Sequence, residues 1–192
     1  FLEGKEIRIR GPRRALELGI GLLTEDRQTQ GLILDWGIGR NITLPELKKY
    51  ARHAILNETM ENETAQKLSE SVSIKAASIF DKASSLSGGN QQRVVVAKAL
   101  GSKLKVLIMD EPTKGVDVGA KAAIYEIIGE LAKQGLAIIL VSSEMPEILG
   151  MCDRTYVMCE GRVTGELSRA DPGQENILTL AMSKHHAKCA EA

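Results

Sequence analysis

Short apolar runs alternate with stretches of helical period along these 192 residues, a pattern that predicts an α/β layer architecture. Ile20-Gly21-Leu22-Leu23 reads as a buried strand after a short helix from Pro12 to Leu18. Val106-Leu107-Ile108-Met109 is a second strand, ending at Asp110, and Leu136 to Val141 a third. Thr155-Tyr156-Val157-Met158 is a fourth, with Glu160-Gly161 as a hairpin turn into Arg162-Val163-Thr164. Between the second and third, Lys121 to Leu131 sets Ile124, Ile127, Ile128 and Leu131 at helical spacing. That strand–helix–strand order predicts parallel strands. Near the start, Lys5-Glu6-Ile7-Arg8-Ile9 reads as a further strand.

The middle has a different texture. From Leu44 to Phe80 the chain is polar, helix-prone and free of glycine. It is expected to be a helical insertion, with a break at Asn57 to Asn62. No internal repeat or low-complexity segment interrupts the chain.

Composition narrows the function classes. With 43% hydrophobic and 26% charged residues, the chain has the make-up of a soluble globular domain. Its 25 Lys plus Arg balance 25 Asp plus Glu, and this neutrality argues against a nucleic-acid binder. Cys152, Cys159 and Cys189 form no CxxC pair and read as reduced thiols. His185, His186 and Cys189 read as a solvated tail rather than a metal site, and His53 as a surface residue. No apolar run approaches the ~18–20 residues of a membrane span, and no signal peptide is recognised. The chain opens on Phe1 within an expected strand, so it reads as a piece whose natural beginning lies upstream.

Two motifs carry chemistry. Ser84-Ser85-Leu86-Ser87-Gly88-Gly89-Asn90-Gln91-Gln92-Arg93 leads into a helical run, Val94 to Leu100. The first N–H groups of a helix have no intrahelical partner, and the dipole's positive end lies there. Glycines let an anion approach the backbone, and Ser87 adds a hydroxyl. A plain helix N-cap is the other reading of such a run. The second motif is the apolar strand that delivers Asp110 and Glu111 at its C-terminal end, where α/β sheets place ligands. Asp110 suits Mg²⁺, which accepts one or two carboxylates plus phosphate oxygens. Glu111 is then placed to orient or deprotonate a water attacking a γ-phosphate. A solvated acidic pair is the alternative for a bare Asp-Glu.

Taken together, the serine–glycine–glycine run and the downstream carboxylate pair resemble the signature motif and Walker B of ABC ATPases. Leu86 to Arg93, Asp110 to Lys121 (DEPTKGVDVGAK) and Val141 to Arg154 (VSSEMPEILGMCDR) are similar to the second ATPase half of ribose- and galactose-type sugar importers. Thr24-Glu25-Asp26-Arg27, Gly31-Leu32 and Asn41-Ile42 resemble the passage from core to helical subdomain in the same proteins. The resemblance runs from about Gly11 to Leu180. It implies a P-loop NTPase core with a parallel sheet and a helical subdomain insertion, truncated at its N-terminal side. The expected layout is partial core over 1–31, helical subdomain over 32–102, core with Walker B, D-loop and switch over 103–170, and C-terminal helix and tail over 171–192.

The resemblance also implies roles. Ser87, Gly88, Gly89 and Gln91 would touch ATP held by a partner domain, Asp110 would bind Mg²⁺, and Glu111 would be the general base. Asp117 matches the D-loop that couples two sites. The implied partners are the N-terminal ATPase half of the same full-length chain, transmembrane permease subunits and, indirectly, a periplasmic sugar-binding protein, with no nucleic acid. The implied location is the cytoplasmic face of the plasma membrane.

Three features depart from the general ABC pattern. The loop GxxxxGK followed by Ser or Thr is absent, and the resemblance would put it before Phe1. Ser143 stands where a switch histidine is usual, and Glu25 stands where the Q-loop glutamine is usual. The isolated chain is therefore expected to hydrolyse ATP poorly. Two functions follow: an ATP-hydrolysing module of a carbohydrate importer, or a non-catalytic half that completes its partner's ATP site. An ABC ATPase acting on nucleic acid or ribosomes is disfavoured by the neutral charge.

Overall fold

The computed structural model describes residues 1–53, 55–170 and 173–182, which fall into two compact units, Phe1–Val141 and Ser142–Ala192. The first unit is built on a three-stranded parallel sheet of β1 (Ile20–Leu23), β4 (Val106–Asp110) and β5 (Ala137–Val141), with β4 in the middle. The parallel order foreseen from the strand–helix–strand run is present: Leu107 pairs with Ile138 and Asp110 with Val141. β1 joins the other edge of β4, with Leu23 opposite Met109. Apolar side chains drive this arrangement, for Leu23, Leu107 and Met109 are fully buried. The connecting helix α5 (Val118–Lys133) buries Ile124, Ile128 and Leu131, one face of a 3.6-residue period. A short α1 (Pro12–Glu17) precedes β1.

Residues 5–9 form no strand. Leu2 and Lys5 instead bridge each other across a tight turn, and the chain then runs unpaired to α1. Alternating Ile7 and Ile9 supply the period of a strand, but pairing needs a neighbouring strand, and none lies beside them among the described residues.

The helical region begins at α2 (Ile38–Thr43), continues through a 3₁₀ turn over Leu44–Tyr50, and then forms a small antiparallel hairpin, β2 (Ala51–Arg52) with β3 (Ile55–Leu56). The hairpin was not foreseen. α3 spans Glu58–Ser71, and the expected break at 57–62 is in fact its start: Asn57 is the N-cap, accepting the Met60 N–H at 3.0 Å. Ile38, Ile42, Tyr50, Ala65 and Val72 form the core of this region with Val94–Ala97 of α4 (Gly88–Leu100). The buried Asn41 amide ties α2 to the segment before it, accepting the Ile33 N–H at 2.8 Å and donating to the carbonyls of Ile33 and Gly37.

The second unit comprises α6 (Met145–Met151), the hairpin β6 (Arg154–Cys159)–β7 (Arg162–Ser168) and α7 (Gln174–Met182). Glu160 and Gly161 turn the hairpin as expected, both with left-handed φ. Ile177 of α7 is buried. No helix among the described residues is long and apolar enough to cross a membrane. His185, His186 and Cys189 lie outside the described residues; His53 is exposed, as expected.

Candidate functional site

The exit of β4 is the acidic side of the site. Burial of Leu107 and Met109 fixes the strand, which delivers Asp110 and then Glu111, both half-buried, at its C-terminal end. Glu111 has a φ of 46°, a left-handed conformation that costs a non-glycine residue on the order of 1–3 kcal/mol. The turn is held from both sides: the Glu111 N–H donates to the Val141 carbonyl at 2.9 Å, and its carbonyl accepts the Lys114 N–H at 3.1 Å. Pro112 and Thr113 are buried beneath it, and Lys114 is exposed.

Because β1 runs parallel to β4, the segment leaving β1 reaches the same edge. Asp26 organises it, accepting the N–H groups of Gln28 and Thr29 and the Thr29 hydroxyl. Those hydrogen bonds, Thr29's first, hold the Asp26 carboxyl below its usual range. Glu25 Oε1 lies 2.5 Å from Lys114 Nζ. Lys114 is raised above its ordinary value, first by the hydrogen bond and charge of Glu25 and further by the charges of Glu111 and Asp110. This lysine thus sits in the field of three carboxylates. Arg27 reaches further along the same loop, donating from Nη1 to the Lys114 carbonyl at 3.1 Å and from Nη2 to the Gly115 carbonyl at 3.4 Å.

The other side of the site is the start of α4. Ser87 takes the N-cap position in extended conformation, yet no side chain caps this thirteen-residue helix. The Ser87 hydroxyl accepts from Asn90 Nδ2 at 3.2 Å instead. The opening N–H groups are therefore left without a side-chain acceptor, the arrangement that receives an anion. The two glycines allow close packing on either side. A Cβ on Gly88 would stand 2.7 Å from Arg27 Nη2, and one on Gly89 would stand 2.6 Å from Ala120 Cβ and 3.8 Å from Asp117 Oδ2. Asp117 in turn caps α5, accepting the Ala120 N–H at 2.9 Å.

Ser87, Gly88, Gly89 and Asp117 are thus neighbours, joined through Arg27 and Lys114 to Glu25, Asp110 and Glu111. Gln91 is placed differently. It is 4% exposed, its amide donating to the Ala83 carbonyl at 3.2 Å and accepting from Gln28 at 3.4 Å. Its side chain anchors α4 to the preceding turn. Ser143 belongs to the second unit, where it is exposed ahead of α6; its neighbour Ser142 accepts the Glu144 N–H at 3.0 Å.

Arg27 and Lys114 stand within the motifs, but neither motif assigns them a role. A usable signal existed: three acids destined for one sheet edge call for a nearby cation. Among the described residues, no group of three or more His, Cys, Asp or Glu side chains is arranged to hold a metal. The Asp110–Glu111 pair fits a magnesium ion that takes one or two protein carboxylates and completes its shell with phosphate oxygens and water.

Known proteins are similar to this chain in sequence and in fold. A family profile described as ABC transporter matches residues 3–114. The chain is 48% identical over 184 residues to a putative ribose/galactose/methyl galactoside import ATP-binding protein of Rhizobium etli, covering 96% of this chain and 35% of that protein. It is 50% identical over 181 residues to a xylose import ATP-binding protein of Moorella thermoacetica, covering 94% and 36%. A ribose import ATP-binding protein of Lactococcus lactis is 48% identical over 180 residues, covering 94% and 37%. The chain therefore spans about a third of the length of these relatives.

Among solved structures, it is similar to a nucleotide-free ATP-binding cassette from an ABC transporter, with a TM-score of 0.77, 22% identity, and coverage of 95% of this chain and 76% of that one. A dimeric cassette in a post-hydrolysis state bound to ADP and Pi gives a TM-score of 0.65 at 24% identity, covering 78% and 62%. At these identities the likeness is one of fold: α/β, with a parallel sheet and helices.

Proposed function

We infer that this chain, which belongs to the ABC transporter family, serves within a longer protein as a nucleotide-binding half of a carbohydrate importer, coupling ATP binding and hydrolysis to sugar uptake. The relatives at about half identity are named for ribose, xylose and galactoside import, which supports the substrate class. The observation that carries the assignment is the uncapped start of α4 at Ser87–Gly89, packed against the loop of Asp117.

The chemistry divides between the two sides. The N–H groups at Ser87, Gly88 and Gly89 bind phosphate oxygens of an ATP anchored on the other ATPase half of the same full-length protein, a role that the uncapped helix start supports. At the β4 exit, Asp110 would hold Mg²⁺, which would supply positive charge against the phosphates. Glu111, fixed by its strained turn, orients the attacking water and accepts its proton. Asp117 joins both sides because it caps α5 beside Gly89. Permease subunits, a periplasmic sugar-binding protein upstream of them, and a peripheral position on the cytoplasmic membrane face complete the proposal.

A second reading is that this half does not hydrolyse ATP and only completes its partner's site. The Glu25–Lys114 pair favours it, since it places an acid and its counter-cation beside Asp110 and Glu111. Glu111→Gln in the full-length transporter separates the two: lost ATP turnover and sugar uptake support hydrolysis by this half, whereas unchanged rates support the second reading.

A further inference from the structure

We propose that Arg27 is the positioning residue that locks the segment after β1, the loop after β4 and the start of α4 into one unit, setting where the α4 N–H groups meet nucleotide. The proposal rests on the phosphate-binding role of Ser87–Gly89 inferred above and goes beyond it, because it assigns the Arg27 guanidinium to the backbone carbonyls of Lys114 and Gly115.

Three observations converge on this side chain. Its fork spans two consecutive carbonyls, Lys114 at 3.1 Å and Gly115 at 3.4 Å, across a separation of 87 and 88 residues. A planar guanidinium can bridge two such acceptors; a lysine ammonium on a flexible stem cannot hold the same fork. Gly115 has a φ of +66°, so the carbonyl offered to Nη2 comes from a backbone conformation that side chains disfavour. Finally, Nη2 fills the space next to Gly88, where a Cβ would come within 2.7 Å. The missing side chain at Gly88 therefore serves Arg27 as well as a phosphate.

The neighbouring contacts have the same effect. Glu25, two residues earlier, pairs with Lys114, so the segment grips the loop by a side chain and by its backbone. Asp26 holds the intervening turn through Gln28 and Thr29. On the far side, Gly89 rests on Ala120 and Asp117. A shift of the loop after β4 is thereby passed to the start of α4 through packed atoms.

The test is a double-mutant cycle in the full-length protein, comparing wild type with Arg27→Ala, Gly88→Ala and the pair, alongside Arg27→Lys. ATP turnover is measured as a function of ATP concentration, with thermal unfolding in parallel. Arg27→Lys is expected to raise the KM for ATP about fivefold while leaving kcat and the unfolding midpoint near wild type, because the fork and not the charge is lost. Gly88→Ala is expected to raise KM about tenfold, reduced to about threefold when Arg27 is also alanine, since the clash partner is gone.

Strictly additive effects of Arg27→Ala and Gly88→Ala, or a wild-type KM in Arg27→Lys, would overturn the proposal. A wild-type protein with no ATP turnover would instead refute the proposed function. The same cycle read in unfolding midpoints then decides the Arg27–Gly88 contact, and additivity there overturns it too.

Discussion

The start of α4 and the exit of β4 handle charge in opposite ways. At α4 the backbone is bare: glycines, an uncapped turn, and a serine hydroxyl already engaged by Asn90. At β4 three carboxylates gather at a strained turn beside one lysine. The first suits an anion that arrives from outside; the second suits a cation or a proton acceptor. The proposed function assigns the helix start to another domain's nucleotide and the acids to hydrolysis, and the contrast in charge between the two sides is what supports that division.

The largest expected effect comes from the acidic side. Glu111→Gln in the full-length protein should lower ATP turnover about a hundredfold or more, the range for a general base, while binding of ATP persists. Rates within twofold of wild type would remove the catalytic half of the contrast.

Next come the scaffolds under the two sides. Met109→Ala, at a fully buried position in the central strand, should cost about 2–5 kcal/mol in chemical denaturation. Asn41→Ala leaves the Ile33 N–H without its acceptor in the region that carries α4, and should cost about 1–3 kcal/mol. If the Asn41 variant weakened ATP turnover less than an equally destabilised Met109 variant, α4 would be the more independent element of the two.

The smallest effect is electrostatic. Lys114 is raised above its ordinary value of 10.5 by Glu25, so pairing contributes fully below that value and fades as pH climbs through the raised one. Unfolding midpoints of wild type and Lys114→Gln should therefore differ slightly at neutral pH and converge once pH has passed the raised value of Lys114, with added salt narrowing the gap because the pair is exposed. A difference that grew with pH would contradict this.

Legibility in the sequence followed how local each signal was. β1, β4, β5 and β6 stood out because each holds a short apolar run, and β7 because the Glu160-Gly161 turn leads into it. Ile7 and Ile9 alternate with charged residues, the period of a half-exposed strand, but no strand lies beside them among the described residues and none formed there. The two-residue strands of the β2–β3 hairpin are too short to show any period, and the run Asn57 to Asn62, polar but for Met60, looked like a break where a capped helix begins. In the candidate site, the placement of Ser87, Gly88 and Gly89 at a helix start and of Asp110–Glu111 at a strand end was legible from the local pattern. Arg27's grip on Gly115 depends on a contact 88 residues long, and the inward turn of Gln91 on a carbonyl and a glutamine supplied by other segments. Neither can be read from spacing.

The most direct test is nucleotide trapping in the full-length protein carrying Ser87→Arg at the bare helix start. Loss of trapped nucleotide at the site anchored on the other half, with the fold intact by thermal unfolding, is the predicted result. Wild-type trapping at that site would contradict a phosphate-binding role for the start of α4.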